Sequence, residues 1–416
     1  MKVFSLNHSD YQGGAAKAAL RIMKATRERG VDNCLYVNRS NLDEQGVYGP
    51  RYVVQKAYAT MASKAGALIS KGVCQVTGES RYLSSAVIPS FWPKFLNQSG
   101  CDLVHLHWVN GEMLSISDIS NIKKPLVWTL HDMWAFSGAE HYPEDEGWKS
   151  GYVSDDEKFN FDAWVWKRKL KHWRKPIQLV SPSNWLKNCI QSSRLMGDWN
   201  VEVIGNPIDT GMWYPEGMNQ AREALGIPLE DDVILFGAVN GGRDVRKGFD
   251  LLIQAIQYLK SSNRWSNIRL IIFGENKPEI EINYGFPAHY FGHIANEGML
   301  RTLYSASDLF IAPSRQEVFG QTATEAHACG CPVLAFDGTG LSDIIEHLNT
   351  GYLAQPFLVS SLVEGIEWIF SEKKRSNLVS QRLAARERVL KNFSYEVIGE
   401  KYKRLYEKTI RSSEGK

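Results

Sequence analysis

No apolar run in this chain approaches the ~18 residues that a membrane-spanning helix needs, so a bilayer span is not expected. The first apolar stretch, Lys2 to Asn7, is too short for a signal peptide and reads as a strand. Cysteine is sparse. Cys34, Cys74, Cys101, Cys189, Cys329 and Cys331 form no Cys-x-x-Cys pair, and most sit in apolar runs, like reduced packing residues of a cytosolic protein. None falls between residues 102 and 188, which argues against a metal centre there. Asp-x-Asp, a common metal-binding pair, is missing too, so no metal cofactor is expected; a bound anion would be met by Lys, Arg and backbone N–H groups. Large net charge is also absent. The 48 Lys+Arg against 46 Asp+Glu leave +2, which does not favour a nucleic-acid partner. Ser-x-His arrangements and the serine nucleophile elbow, which would mark common hydrolases, are missing as well.

What is present is an ordinary globular composition, 44% hydrophobic and 23% charged, on 416 residues, too many for one core. Short apolar runs alternate with amphipathic stretches throughout, the pattern of an α/β doubly wound architecture. In the first half, strands are expected at residues 3–7, 33–37, 103–107, 126–130, 178–181 and 201–204, with a long helix at 14–29. The rhythm breaks at Asn206-Pro207-Ile208-Asp209 and restarts, with strands at 233–239, 268–273, 289–291, 309–312, 333–336 and 352–353. Helices are expected at 249–260, 297–305 and 362–370. The expected division is therefore a first domain at 1–205 and a second at 206–393, with an amphipathic tail from 394 to 416. Residues 1–205 carry 25 Lys+Arg against 20 Asp+Glu, and residues 206–416 carry 23 against 26. A basic first half and an acidic second half suit an anionic acceptor or membrane surface on the first.

Four segments could carry chemistry. Glu317 and Glu325 flank Val318-Phe319-Gly320-Gln321-Thr322, where a strand gives way to a short helix spanning residues 320–329. The N–H groups of Phe319 to Thr322 then form a helix N-terminus suited to phosphate. A carboxylate on each side suits a ligand with hydroxyls at both ends and a diphosphate between, such as a nucleotide sugar. The plainer reading makes Glu317 a solvated loop residue and Glu325 a cap. Tyr11-Gln12-Gly13-Gly14 follows the first strand, and Gly13 and Gly14 would let an anion or sugar approach the next helix, or simply make a tight turn. Arg243-Asp244-Val245-Arg246-Lys247-Gly248 places cations at a helix start, for a diphosphate or for solvent. His131-Asp132 and His107 end strands whose carboxyl termini point toward a ligand crevice. His105 reads as core. The loop Asp337-Gly338-Thr339-Gly340 starts like a dinucleotide fingerprint, but Asp343 replaces the third glycine. It reads as a loop lining the donor site. Two basic–aromatic stretches, 51–100 and 164–175, read first as solvated helix faces and second as lipid contacts.

Ser314, Glu317, Phe319-Gly320, Glu325-Ala326 and Cys329-Gly330-Cys331-Pro332-Val333-Leu334-Ala335 closely resemble the glutamate-x7-glutamate motif of family 4 retaining glycosyltransferases. That resemblance, closest to the bacterial colanic-acid and surface-polysaccharide type, implies a GT-B fold of two facing Rossmann-like, doubly wound parallel-sheet domains. It implies sugar transfer from a UDP- or GDP-linked donor to a growing, lipid-linked glycan. Glu325 would hold the ribose, and Glu317 the donor sugar. Lys247, Arg246 (Arg243 in reserve) and the Phe319–Thr322 amides would hold the diphosphate. His131 would sit beside the reacting carbon with its tautomer fixed by Asp132. Gly14 would approach the donor, and Gly13 and His107 the acceptor. Gly237-Ala238 departs from the commoner Gly-Arg of such enzymes. The last helix would cross back onto the first domain. The place expected is the cytoplasm, at most peripheral on the inner face of its membrane. A nucleotide-sugar 2-epimerase and a non-catalytic nucleotide-sugar-binding partner share the architecture.

Overall fold

The computed structural model describes all residues except 12, 51, 78–80, 154–158, 238–243, 279–281, 375 and 415–416. Gln12, Ala238 and Arg243, named above, therefore lie outside the described residues, as do parts of the ranges 51–100, 233–239 and 394–416. The chain divides into two compact units. Unit 1 is Met1–Pro207 with Tyr395–Lys416, and unit 2 is Ile208–Ser394. The break falls after Pro207 because the Ile208 N–H bonds the Phe393 carbonyl at 2.9 Å and so belongs to unit 2.

Unit 1 is built on β1 (Lys2–Ser9), β2 (Asp32–Arg39), β3 (Val47–Tyr48), β4 (Leu103–Leu106), β5 (Leu126–Thr129), β6 (Gln178–Ser181) and β7 (Val201–Val203). They lie in the order β3-β2-β1-β4-β5-β6-β7, all parallel. Unit 2 uses β8 (Asp232–Gly237), β9 (Ile268–Phe273), β10 (Ala288–Tyr290), β11 (Leu309–Ala312), β12 (Val333–Phe336) and β13 (Gly351–Ala354). Their order is β10-β9-β8-β11-β12-β13, again parallel. Each sheet reverses its winding once, between β1 and β4 and between β8 and β11. Ligands bind at the carboxyl ends of strands at such points.

Continuous apolar runs become strands here because both sheet faces are covered. Val233 and Leu235 of β8 pack on one side with Ile271, Phe310 and Val333. Ile234 and Phe236 pack on the other with Leu270, Ile311 and Leu334. At the amino end of β11, Asp308 is fully buried. Its Oδ2 accepts from Arg222 Nη2 at 2.8 Å, the Val233 N–H at 2.8 Å and Lys373 Nζ at 2.9 Å.

The final helix, Tyr395–Glu414, belongs to unit 1. Its Ile398, Tyr402, Leu405 and Tyr406 share a core with Val3, Ile22, Leu103 and Val127. The stretch 164–175 is solvated on one side only, where Trp164, Lys167, Lys171, Arg174 and Lys175 are exposed. In the helix Phe161–His172, Trp166 and Lys169 are buried, as is Trp173 just beyond it. Lys169 Nζ donates to the Trp134, Ser137 and Gly138 carbonyls and lies 3.8 Å from the centre of the Trp134 ring. The stretch 51–100, expected to present a helix face but given no helix bounds above, contains the helix Val53–Thr77.

Candidate functional site

In unit 2 the candidate site lies after β8 and β11. Two loops meet there because glycine permits it. Gly248 has φ +66°, and a Cβ on it would lie 1.9 Å from the Pro313 carbonyl oxygen. That closeness brings the 3-10 turn Val245–Lys247 against residues 313–320. Lys247 Nζ reaches Glu317 Oε2 at 2.7 Å, so two of the sequence-derived candidates form one ion pair. Both side chains are partly exposed. Such pairs contribute only about 0.2–1 kcal/mol, which an arriving diphosphate could readily displace.

Arg315, which the sequence reading missed, ties the two loops. Its N–H bonds the Arg246 carbonyl at 2.7 Å, and its guanidinium grips Asp250 at 2.8 and 2.6 Å. Hydrogen bonds from Arg315 hold the Asp250 carboxyl below the usual range. Arg246 is less available than expected. Its Nε and Nη2 bond Asp244 at 3.0 and 2.8 Å, and although burial opposes it, that pairing keeps the Asp244 pKa low.

The helix after β11 spans Gln321–Ala328, with Gly320 as its N-cap and Cys329 as its C-cap. This is one residue shorter at each end than expected. Its first N–H groups have no acceptor inside the helix. Phe319 contributes only its amide, since its ring packs in the core against Phe393 at 5.5 Å. Thr322 is exposed, Gln321 is half-buried, and Glu325 is buried one turn further in. The Gly340 N–H bonds the Glu317 carbonyl at 2.8 Å, so the glycine loop braces Glu317 from behind.

In unit 1 the corresponding edge carries histidines. His107 and His131 follow β4 and β5, with His107 Nδ1 and His131 Nε2 at 3.1 Å. His105 on β4 bonds Thr129 at 2.7 Å and Tyr406 at 2.7 Å, while Tyr402 bonds Thr129 at 3.0 Å. The last helix therefore reaches the layer beneath His107. His107 is buried, and its Nε2 has no hydrogen-bond partner among the described residues. It faces His131 rather than an open acceptor surface. Among the described residues Asp132 makes no hydrogen bond to His131, contrary to expectation. Its Oδ2 accepts from His141 Nδ1 at 2.6 Å and Trp108 Nε1 at 2.8 Å, and its Oδ1 from the Trp134 N–H at 2.9 Å. The neighbour able to fix the His131 tautomer is His107.

His141 continues to Ser84 Oγ at 2.8 Å, so a Ser–His–Asp alignment exists that no local pattern showed. All three residues are buried, and the Ser84 N–H is already bonded to the Ala139 carbonyl. That N–H cannot serve a developing oxyanion, and the alignment acts as a structural tie on Asp132. Gly13 opens the helix Gly13–Glu28 with φ +81°, and a Cβ there would meet nothing within 4 Å. Gly14 follows it in the first turn.

Burial holds these imidazoles neutral. It lowers His131, and likewise His8 near the end of β1, to about 4 and His105 to about 3, and His107 well below its usual value. The unfolded chain takes up these protons near pH 6.5, and the folded chain does not. Unfolding therefore binds protons between about pH 6.5 and 4, and stability falls as pH drops through that window. Thermal midpoints should decline across it and be flat just above it. A midpoint unchanged by acidification would contradict neutral burial.

Residues 12–211 match the family model for glycosyltransferase family 4, and residues 218–386 that for glycosyl transferases group 1. The chain belongs to glycosyltransferase family 4. This family 4 member is 25% identical over 249 residues to the capsular polysaccharide biosynthesis glycosyltransferase CapM of Staphylococcus aureus, covering 57% of the chain and 63% of that relative. It is 27% identical over 271 residues to a D-inositol 3-phosphate glycosyltransferase of Xylanimonas cellulosilytica, covering 59% and 57%. The chain thus spans about three fifths of the length of these curated relatives. Among solved structures, sucrose-phosphate synthase from Thermosynechococcus elongatus superposes with a TM-score of 0.66 at 16% identity, covering 99% of both chains. Anabaena HepE in complex with UDP-glucose gives 0.63 at 18% identity, covering 99% and 100%. The fold of this family 4 chain is GT-B.

Proposed function

We propose that the protein is a retaining glycosyltransferase that moves a sugar from a nucleotide-sugar donor to a growing, lipid-linked surface glycan. The observation that carries this reading is the Lys247–Glu317 pair at the β8/β11 edge, beside the helix that bears Glu325. Lys247, with Arg246 and the amides from Phe319 to Thr322, meets the diphosphate. Glu317, released from Lys247, accepts hydrogen bonds from donor-sugar hydroxyls. Charge-assisted bonds of that kind contribute about 1.5–3 kcal/mol. Glu325 holds the ribose hydroxyls. The bond from the anomeric carbon to the diphosphate breaks with its electron pair leaving on phosphate, where Lys247 opposes the new charge. An acceptor hydroxyl oxygen bonds that carbon, and its proton passes to the departing phosphate oxygen. His131 of unit 1 is neutral at pH 7 and can accept a hydrogen bond from a sugar hydroxyl. Diphosphate charge is met in this reading by the chain's own cations and amides.

Because HepE was solved with UDP-glucose, UDP-sugars are the first donors to test, ahead of GDP- and ADP-sugars. One nucleotide class should raise the thermal midpoint, since a ligand at 100 times its Kd stabilises by about 2.7 kcal/mol. Glu325→Ala should abolish the shift. Equal stabilisation of that variant would remove Glu325 from the ribose role.

A further inference from the structure

The helix Val53–Thr77 in unit 1 is unusual in what it leaves uncovered. Among its described residues, Ala62 alone is fully buried. Val53, Val54, Met61, Leu68 and Val76 are 81%, 78%, 70%, 69% and 89% exposed. Val54, Tyr58, Met61, Ala65, Leu68 and Val76 recur at helical three-and-four spacing, so they form one stripe. The opposite side is the docked one, since Ala62 is buried and Gly66 lies against the buried Glu112 side chain.

Charge on the helix has one sign. Lys56, Lys64 and Lys71 are exposed, and no Asp or Glu occurs between Val53 and Thr77. The stripe continues onto a second element: the Tyr58 and Phe91 rings lie 6.3 Å apart, and exposed Lys94 and Phe95 follow. No described helix is long and apolar enough to cross a membrane. A helix with an apolar stripe and lysines at its margin lies in a bilayer interface instead, its apolar side chains below the headgroups and its ammonium groups among the phosphates.

We propose that the Val53–Thr77 face, with Phe91 and Phe95, docks the protein on an anionic lipid surface. A lone exposed stripe could also take a second copy of the chain. Pairing two such helices would set lysine against lysine with no acid to relieve them, whereas anionic headgroups complement Lys64 and Lys71, which flank the stripe on one margin. The inference does not depend on the glycosyl-transfer reading.

The test is flotation of the full chain with two kinds of vesicle, phosphatidylcholine alone and phosphatidylcholine mixed with phosphatidylglycerol. The chain should float with the anionic vesicles, much less with the neutral ones, and less as salt rises. Lys64→Glu/Lys71→Glu should weaken the anionic binding by about five-fold or more for each lysine changed. Met61→Asp/Leu68→Asp should abolish it. All four positions are exposed, so circular dichroism and the thermal midpoint of both variants should match the parent chain. Absence of binding to anionic vesicles, or binding indifferent to both variants, would overturn the proposal. So would a dimer in light scattering that Met61→Asp/Leu68→Asp dissociates, because the stripe would then be a contact between copies.

Discussion

Replacing Lys247 with alanine should lower kcat/KM for sugar transfer by about 100- to 1,000-fold, which corresponds to the ~2.7–4 kcal/mol commonly lost with one preorganised charge-stabilising group. The structure separates this effect from folding. Lys247 is partly exposed, and its pair with Glu317 contributes little to stability. The loops it bridges are also joined by the Gly248–Pro313 approach and by Arg315. The thermal midpoint should therefore barely move while turnover collapses. Most of the loss should appear in kcat, because the leaving-group charge is largest in the transition state. A fall of less than about ten-fold would remove Lys247 from the transition-state role.

Asp308→Ala should have the largest effect on stability. The carboxylate is fully buried and receives the Arg222 guanidinium, the Lys373 ammonium and the Val233 N–H. Arg222 is itself buried and would lose its counter-ion. Breaking a buried pair by deleting one partner costs about 3–5 kcal/mol. For a unit of this size that lowers the midpoint by roughly 6–20 °C. Calorimetry should show the loss in the transition of unit 2. A shift within about 2 °C would mean that the two cations find other partners. Asp308 stands at the amino edge of its sheet, opposite Glu317, so the loss should precede any specific effect on donor binding.

The strands were legible because burial on both faces writes a parallel strand as an unbroken apolar run. Residues 178–181, 268–273, 309–312 and 333–336 matched the observed limits, as at β6, β9, β11 and β12. The extent of the helix Val53–Thr77 was not legible, since its apolar residues point outward and break the usual buried stripe, while its lysines match the expected solvated face. Lys247 and Glu317 could be named from their loops, but their pairing depends on two segments separated by 70 positions. Asp132 was assigned to His131 because adjacency is what a sequence displays. Adjacent side chains after a strand diverge, and Asp132 turned to His141 and Trp108 while His131 met His107 from the next strand. Lys169 read as surface because a buried lysine is rare, and its three carbonyl acceptors come from a loop far away in sequence.

The return of Tyr395–Glu414 to the first unit also sets an order of events on the ribosome. Residues 208–394 are continuous and can close their core as soon as they emerge, whereas Val3, Ile22, Leu103 and Val127 must wait for Tyr402 and Tyr406. At about 5–20 residues per second, that interval is roughly 10–40 s. Throughout it the apolar layer that Tyr402, Leu405 and Tyr406 complete stays open to water.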